Sequence, residues 1–70
     1  MDNENNIIGK SIKQNRLERG VTQTALAKAI GVTHAAISFW ENGVNIPNIS
    51  DCWKMAEYMH ITIDELVGKE

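Results

Sequence analysis

The chain has 70 residues, 43% of them hydrophobic and 23% charged, with a formal net charge of −2. Such a length allows one small domain with a thin core, because a chain this short buries only ~60% of its unfolded surface. One cysteine excludes an internal disulfide, no apolar run approaches the ~18 residues of a membrane span, and the opening MDNENN lacks the basic end and apolar stretch of a secretory leader, so a reducing, cytoplasmic setting is expected and no membrane.

Gly and Pro divide the chain into short blocks without repeats or long strand-like alternation. Residues 1–6 read as a disordered tail, with Asn3 to Asn6 fraying into the solvent, and residues 7–70 as the folded domain. Ile8, Ile12 and Leu17 recur near helical spacing, and Gly20 ends that block. Thr22 is the expected N-cap of a second helix, with Leu26, Ala27 and Ile30 inward and Gly31 as its stop. Thr33 caps a third helix that Gly43 ends. Pro47 closes the loop Val44-Asn45-Ile46. Asn48 caps a fourth helix to about His60, with Ile49, Cys52, Ala56 and Met59 on one face. Thr62-Ile63-Asp64-Glu65 has the capping-box pattern that opens a short fifth helix. Five short helices joined by short loops predict an all-α fold.

Charge is divided along the chain. Between residues 9 and 31, Lys10, Lys13, Arg16, Arg19 and Lys28 face one acid, Glu18, whereas the rest holds Lys54, Lys69 and eight acids. A local basic face matters more to an anionic partner than the total does, although the same pattern suits a solvated surface.

Helices two and three are separated only by Gly31-Val32-Thr33. A glycine in so short a turn between two helices is the helix-turn-helix arrangement, and it also occurs in ordinary helical corners. At 100° per residue, Thr33, Ile37, Trp40 and Glu41 of helix three share one side. Ala35, Ser38, Phe39 and Asn42 share the other, and His34 lies at the flank. Glu41 at the core edge needs a partner, and Arg16 of helix one is the candidate for an ion pair that locks helix three to helix one.

The stretch Arg16…Gly20-Val21-Thr22-Gln23-x-x-Leu26-Ala27-x-x-Ile30-Gly31-Val32-Thr33-x-x-x-Ile37-Ser38-x-Trp40-Glu41-Asn42-Gly43, followed by Pro47, resembles the lambda-repressor-like helix-turn-helix family. That family includes phage repressors, Cro proteins and small bacterial regulators. Met55-Ala56-x-x-Met59-x-Ile61-Thr62-x-Asp64-Glu65-Leu66 resembles the family's fourth and fifth helices, and the likeness covers residues 8–67. The resemblance implies that helix three lies in the major groove of double-stranded DNA. By position, His34, Ala35, Ser38 and Phe39 then contact bases, and Thr22, Gln23, Thr33 and Asn42 contact phosphates. Ala35 and Phe39 suit thymine methyl groups, and His34 and Ser38 suit hydrogen bonds to base edges, which together favour A·T-leaning sites. Two departures stand out. Phe39 occupies a position where many members carry Arg or Gln, and the loop Val44-Asn45-Ile46 has no basic residue, so modest, salt-sensitive phosphate affinity is expected. Phe39 itself has three readings: a core edge, a DNA contact or a protein contact.

A two-fold site implies a homodimer, with recognition helices one DNA turn, ~34 Å, apart. Trp53, Met55, Ile63, Leu66 and Val67 are the candidates for its interface, set against the reading that all are core. Enzyme chemistry has little support. His34 and His60 are distant in sequence, no Cys/His spacing fits a metal, Cys52 sits on an apolar face as filler, and no glycine-rich phosphate loop occurs. No cofactor is expected. The sequence therefore reads as a sequence-specific DNA-binding transcriptional regulator of the phage or bacterial repressor type. The alternative is a protein-interaction module on the same fold, antitoxin-like or antirepressor-like, for which the acidic total, the bare loop and Phe39 argue.

Overall fold

Each helix of this chain begins on an Asn or a Thr. The computed structural model describes residues 3–69. Its elements are α1 (Glu4–Glu18), α2 (Gln23–Ile30), α3 (His34–Glu41), α4 (Ile49–Met59) and α5 (Ile63–Val67). The caps are Asn3, Thr22, Thr33, Asn48 and Thr62, each accepting from a backbone N–H three residues on. Each such bond satisfies an otherwise orphaned donor and is worth ~1 kcal/mol. At α5 the box is complete, because Glu65 Oε1 also accepts from Thr62 N at 2.9 Å.

Asn3 to Asn6 therefore do not form a tail. Asn3 Oδ1 accepts from Asn6 N at 2.9 Å, and the helix is under way at Glu4. Residues 1 and 2 of the expected tail lie outside the described residues.

The core takes one wholly buried side chain from every helix: Ile12, Leu26, Ile37, Met55 and Leu66. Burying such a side chain contributes roughly 1.5–3 kcal/mol. Ala27, Ile30, Trp40, Cys52, Ala56 and Met59 complete the cluster, and Val32, Ile61 and Ile63 pack against it. Helix α1 packs on α3 and α5, α2 on α3 and α4, and α4 on α5. Among the described residues there is no strand, and no helix is long and apolar enough to cross a membrane.

Two expectations about inward faces and one about the dimer interface are corrected. Leu17 is 58% exposed, and the inner face of α1 is Gly9, Ile12 and Arg16. Ile49 is 71% exposed, and α4 turns Cys52, Met55, Ala56 and Met59 inward. Met55 and Leu66 are 0% exposed, so neither is available to a second subunit.

Polar bonds fix the packing. Ser11 Oγ and Asn15 Nδ2 both donate to the Glu65 carbonyl, at 3.1 Å each, and join α1 to α5. Arg19 Nε donates to the Met59 carbonyl at 3.0 Å, which satisfies an acceptor at the C-terminal end of α4.

Candidate nucleic-acid interface

Helix α3 is held from two sides, and what remains outside is the candidate site. The turn before it starts at Gly31, whose φ of 77° lies in the left-handed region. Gly31 N and Val32 N both donate to the Ala27 carbonyl, at 2.9 and 3.0 Å. A Cβ at Gly31 would meet nothing within 4 Å, so the turn needs glycine for its backbone angle and not for space. Val32 is partly buried and packs against the core in the corner between the helices.

The inward side of α3 is Ile37, Trp40 and Glu41. Gly9 of α1 crosses directly over the last turn, where a Cβ would run into the carbonyl oxygens of Trp40 and Glu41. Arg16 then clips the same turn. Its Nε donates to Glu41 Oε2 at 2.7 Å and its Nη2 to Glu41 Oε1 at 3.0 Å. A third bond, from Arg16 Nη1 to the Val21 carbonyl at 2.8 Å, reaches the loop before α2. Both side chains are buried, at 9% and 2% exposure. The hydrogen bond to Glu41 holds the guanidinium above its ordinary value, against the opposite pull of burial, with the Glu41 charge adding to it. Such a bidentate pair orients helices more than it adds net stability.

The outward side carries His34, Ala35 and Phe39, all exposed, with Ser38 half-buried between them. Phe39 is 49% exposed, which removes the reading that places it in the core. Thr33, which the wheel places on the inner side, is exposed: it is the N-cap, outside the helical turns, and its hydroxyl accepts from Ala36 N at 3.1 Å. Asn42 is the C-cap residue, and its Nδ2 donates to Ser38 O at 2.9 Å and Ser38 Oγ at 3.3 Å. Its amide is thus already engaged within α3. Thr22 caps α2 through Ala25 N at 3.0 Å. Gln23 Nε2 donates to Glu41 Oε1 at 2.9 Å, a contact the sequence reading missed because nothing local marks it.

One cation of the basic stretch is committed inside the fold, Arg16 to Glu41, whereas Arg19 stays exposed while it donates to the Met59 and Asn15 carbonyls. The positive charge available to a partner is therefore smaller than the sequence suggests by that of Arg16.

The interface candidates of α4 and α5 divide. Trp53 is 61% exposed on α4, Ile63 and Val67 are partly buried, and Met55 and Leu66 lie in the core. Cys52 is buried, and that burial, then the neighbouring Asp51 charge, pushes its thiol up and suppresses the reactive thiolate. No group of three His, Cys, Asp or Glu side chains arranged to hold a metal occurs among the described residues.

The helix-turn-helix family model matches residues 12–66. The chain is 34% identical over 61 residues to the HTH-type transcriptional activator BcrR of Enterococcus faecalis, covering 87% of this chain and 30% of BcrR. It is 31% identical over 67 residues to YazB of Bacillus subtilis (strain 168), an uncharacterized HTH-type transcriptional regulator, covering 96% of this chain and 97% of YazB. The chain thus spans less than a third of one relative and nearly all of the other. In structure it superposes on the P22 c2 repressor crystallised with synthetic operator 9T, with TM-score 0.81 and 28% identity over 90% of this chain and 96% of that one. It also superposes on the restriction-modification controller protein C.AhdI of Aeromonas hydrophila, with TM-score 0.83, covering 89% of this chain and 94% of that one; at 22% identity this shows the fold alone. The capped helix pair around Gly31, the locked inner face of α3 and these likenesses agree: the chain belongs to the Cro/C1-type, lambda-repressor-like helix-turn-helix family of DNA-binding transcriptional regulators, which are not enzymes.

Proposed function

We propose that the chain binds duplex DNA sequence-specifically by laying α3 in the major groove. The observation that carries this reading is the division of α3 itself. Ile37, Trp40 and Glu41 are buried, and Gly9 and Arg16 hold them, while His34, Ala35, Ser38 and Phe39 face outward on a rigid support. A groove-reading helix needs that combination, because a loosely held helix pays an ordering cost on binding. The likeness to a repressor crystallised with operator DNA supports duplex DNA as the partner.

In this reading Ala35 and Phe39 pack on thymine methyl groups, His34 meets a purine N7 or O6, and Ser38 bonds either base type. Thr22, Gln23 and Thr33 lie at the starts of α2 and α3, where backbone N–H groups and the helix dipole favour phosphate. Asn42 joins them only by loosening its bonds to Ser38. The protein acts in the cytoplasm as a homodimer on a two-fold operator, with α3 helices ~34 Å apart. Trp53 is the principal interface candidate, with Ile63 lining the same groove, whereas Val67 lies with Ile7 and Ile8 of α1 on another face. The relatives include a named activator and a named repressor, and the chemistry of α3 is the same for either outcome.

Selection from a random duplex library, followed by anisotropy titration at two salt concentrations, tests the proposal. The expected result is a two-fold, A·T-rich motif whose affinity falls steeply with salt. Weak binding without a motif, at low salt only, would overturn it and turn Phe39 and its neighbours into a protein-binding surface.

A further inference from the structure

The buried ion pair between α1 and α3 holds a third partner. Glu41 accepts three hydrogen bonds: from Arg16 Nε at 2.7 Å, from Arg16 Nη2 at 3.0 Å and from Gln23 Nε2 at 2.9 Å. Its side chain is 2% exposed, and no buried side-chain nitrogen or oxygen among the described residues lacks a partner. Gln23 is half-buried, so its carboxamide runs from this buried carboxylate to the surface. A carboxylate accepts and never donates, so the contact fixes which end of the amide faces inward. One Gln23 N–H is taken by Glu41, and the other is left for an outside acceptor.

We infer that Glu41 is a positioning residue for DNA-backbone binding: through Gln23 it holds a side-chain N–H ready to donate to a phosphate oxygen, while Arg16 cancels the carboxylate charge that would otherwise repel that phosphate. The inference rests on the proposed groove docking of α3, which brings residue 23 to the backbone. Its physical content is preorganisation. A free glutamine samples several rotamers and loses that freedom on binding, whereas Gln23 arrives already ordered. The ion pair thereby serves binding as well as packing.

A double-mutant cycle read in DNA affinity tests this. Gln23→Ala removes the donor and should weaken binding about tenfold, the scale of a hydrogen bond to a charged group, equally on every operator variant. Glu41→Asp keeps the charge for Arg16 on a shorter side chain that releases Gln23. It should weaken wild-type binding by a similar factor or more, and cost clearly less in the Gln23→Ala background, where only the loosened clip on α3 remains. Equal losses from Glu41→Asp in both backgrounds, or unchanged affinity in Gln23→Ala, would overturn the inference. Side-chain amide relaxation on the unaltered protein gives a reading that does not depend on a variant folding. A Gln23 side-chain order parameter close to that of the α2 backbone supports a held amide, and one as low as those of the exposed Gln14 and Asn45 side chains refutes it. Failure of the wild type to bind any duplex would instead remove the docking reading beneath, and the inference with it.

Discussion

Gly9→Ala decides whether α1 truly rests on the backbone of α3. Gly9 sits in the middle of α1, where alanine is the better helix former by ~1 kcal/mol. In open space the substitution would therefore stabilise the protein. Here the added methyl would meet the Trp40 carbonyl oxygen and, at 2.9 Å, the Glu41 carbonyl oxygen, with the Glu41 carbonyl carbon at 3.1 Å. These are backbone atoms of a packed helix, which cannot rotate away as a side chain can. Overpacking of this kind costs ~1–3 kcal/mol, and two backbone carbonyl oxygens put this case at the upper end. After the propensity gain, the net loss is about 2 kcal/mol, which lowers Tm by roughly 8–16 °C in a domain of this size. A thermal melt followed by circular dichroism measures it. Gly31→Ala is the control, since nothing lies within 4 Å there and its φ of 77° leaves only the left-handed strain of ~1–2 kcal/mol. A Gly9→Ala protein as stable as wild type, or more so, would refute the close crossing and with it the rigid support for α3.

Three further outcomes follow from the same contacts. Glu41→Leu leaves Arg16 buried without its partner and should cost ~3–5 kcal/mol in denaturant melts, whereas Arg16→Met combined with Glu41→Leu should lose clearly less than the sum of the two single changes. The Glu65 carboxyl is held below the usual Glu range, first by the backbone N–H of Thr62 and then by its hydroxyl. A depressed folded value contributes stability above the unfolded value of ~4.3 and loses it as pH falls through the folded one, so the α5 cap should loosen in acid. The Thr62 amide shift, followed by NMR below about pH 4.3, should move in the wild type and stay flat in Glu65→Gln. Phe39→Ala removes a half-exposed ring, so Tm should barely move, yet operator affinity should fall several-fold if the ring packs on bases; unchanged affinity would take Phe39 out of the groove.

Most of what the sequence made legible was local. Thr22, Thr33, Asn48 and Thr62 announce their helices because a cap and the N–H it serves are three residues apart. The same pattern stands at Asn3, but a polar run at the start of the chain hides it. The wheel placed Ile37, Trp40 and Glu41 inward, since a helix of eight residues has little room to drift in phase. Longer reach was legible at one pair, because a carboxylate at the core edge of α3 calls for a cation and Arg16 meets Glu41 across 25 residues. Elsewhere it was lost: apolar spacing led from Ile12 to Leu17, while the buried face of α1 is Gly9, Ile12 and Arg16. Ile49 and Trp53 look like core by composition, yet a small domain leaves much apolar surface outside and the sequence alone does not say which. For the same reason Met55 and Leu66 read as surplus although they sit at the centre. The Gln23–Glu41 bond and the Gly9 crossing have no local signature beyond a glycine standing where a helix would favour alanine.

The central claim is that the outward face of α3 reads bases, and Ala35 is its most direct handle. Ala35 is exposed, so a larger side chain fits there without disturbing the core. Selection from the random duplex library should be repeated with Ala35→Arg. The account predicts a changed preference, toward guanine, at one position in each half-site, with the remainder of the motif retained. An Ala35→Arg protein that folds normally and selects the wild-type motif unchanged would contradict it.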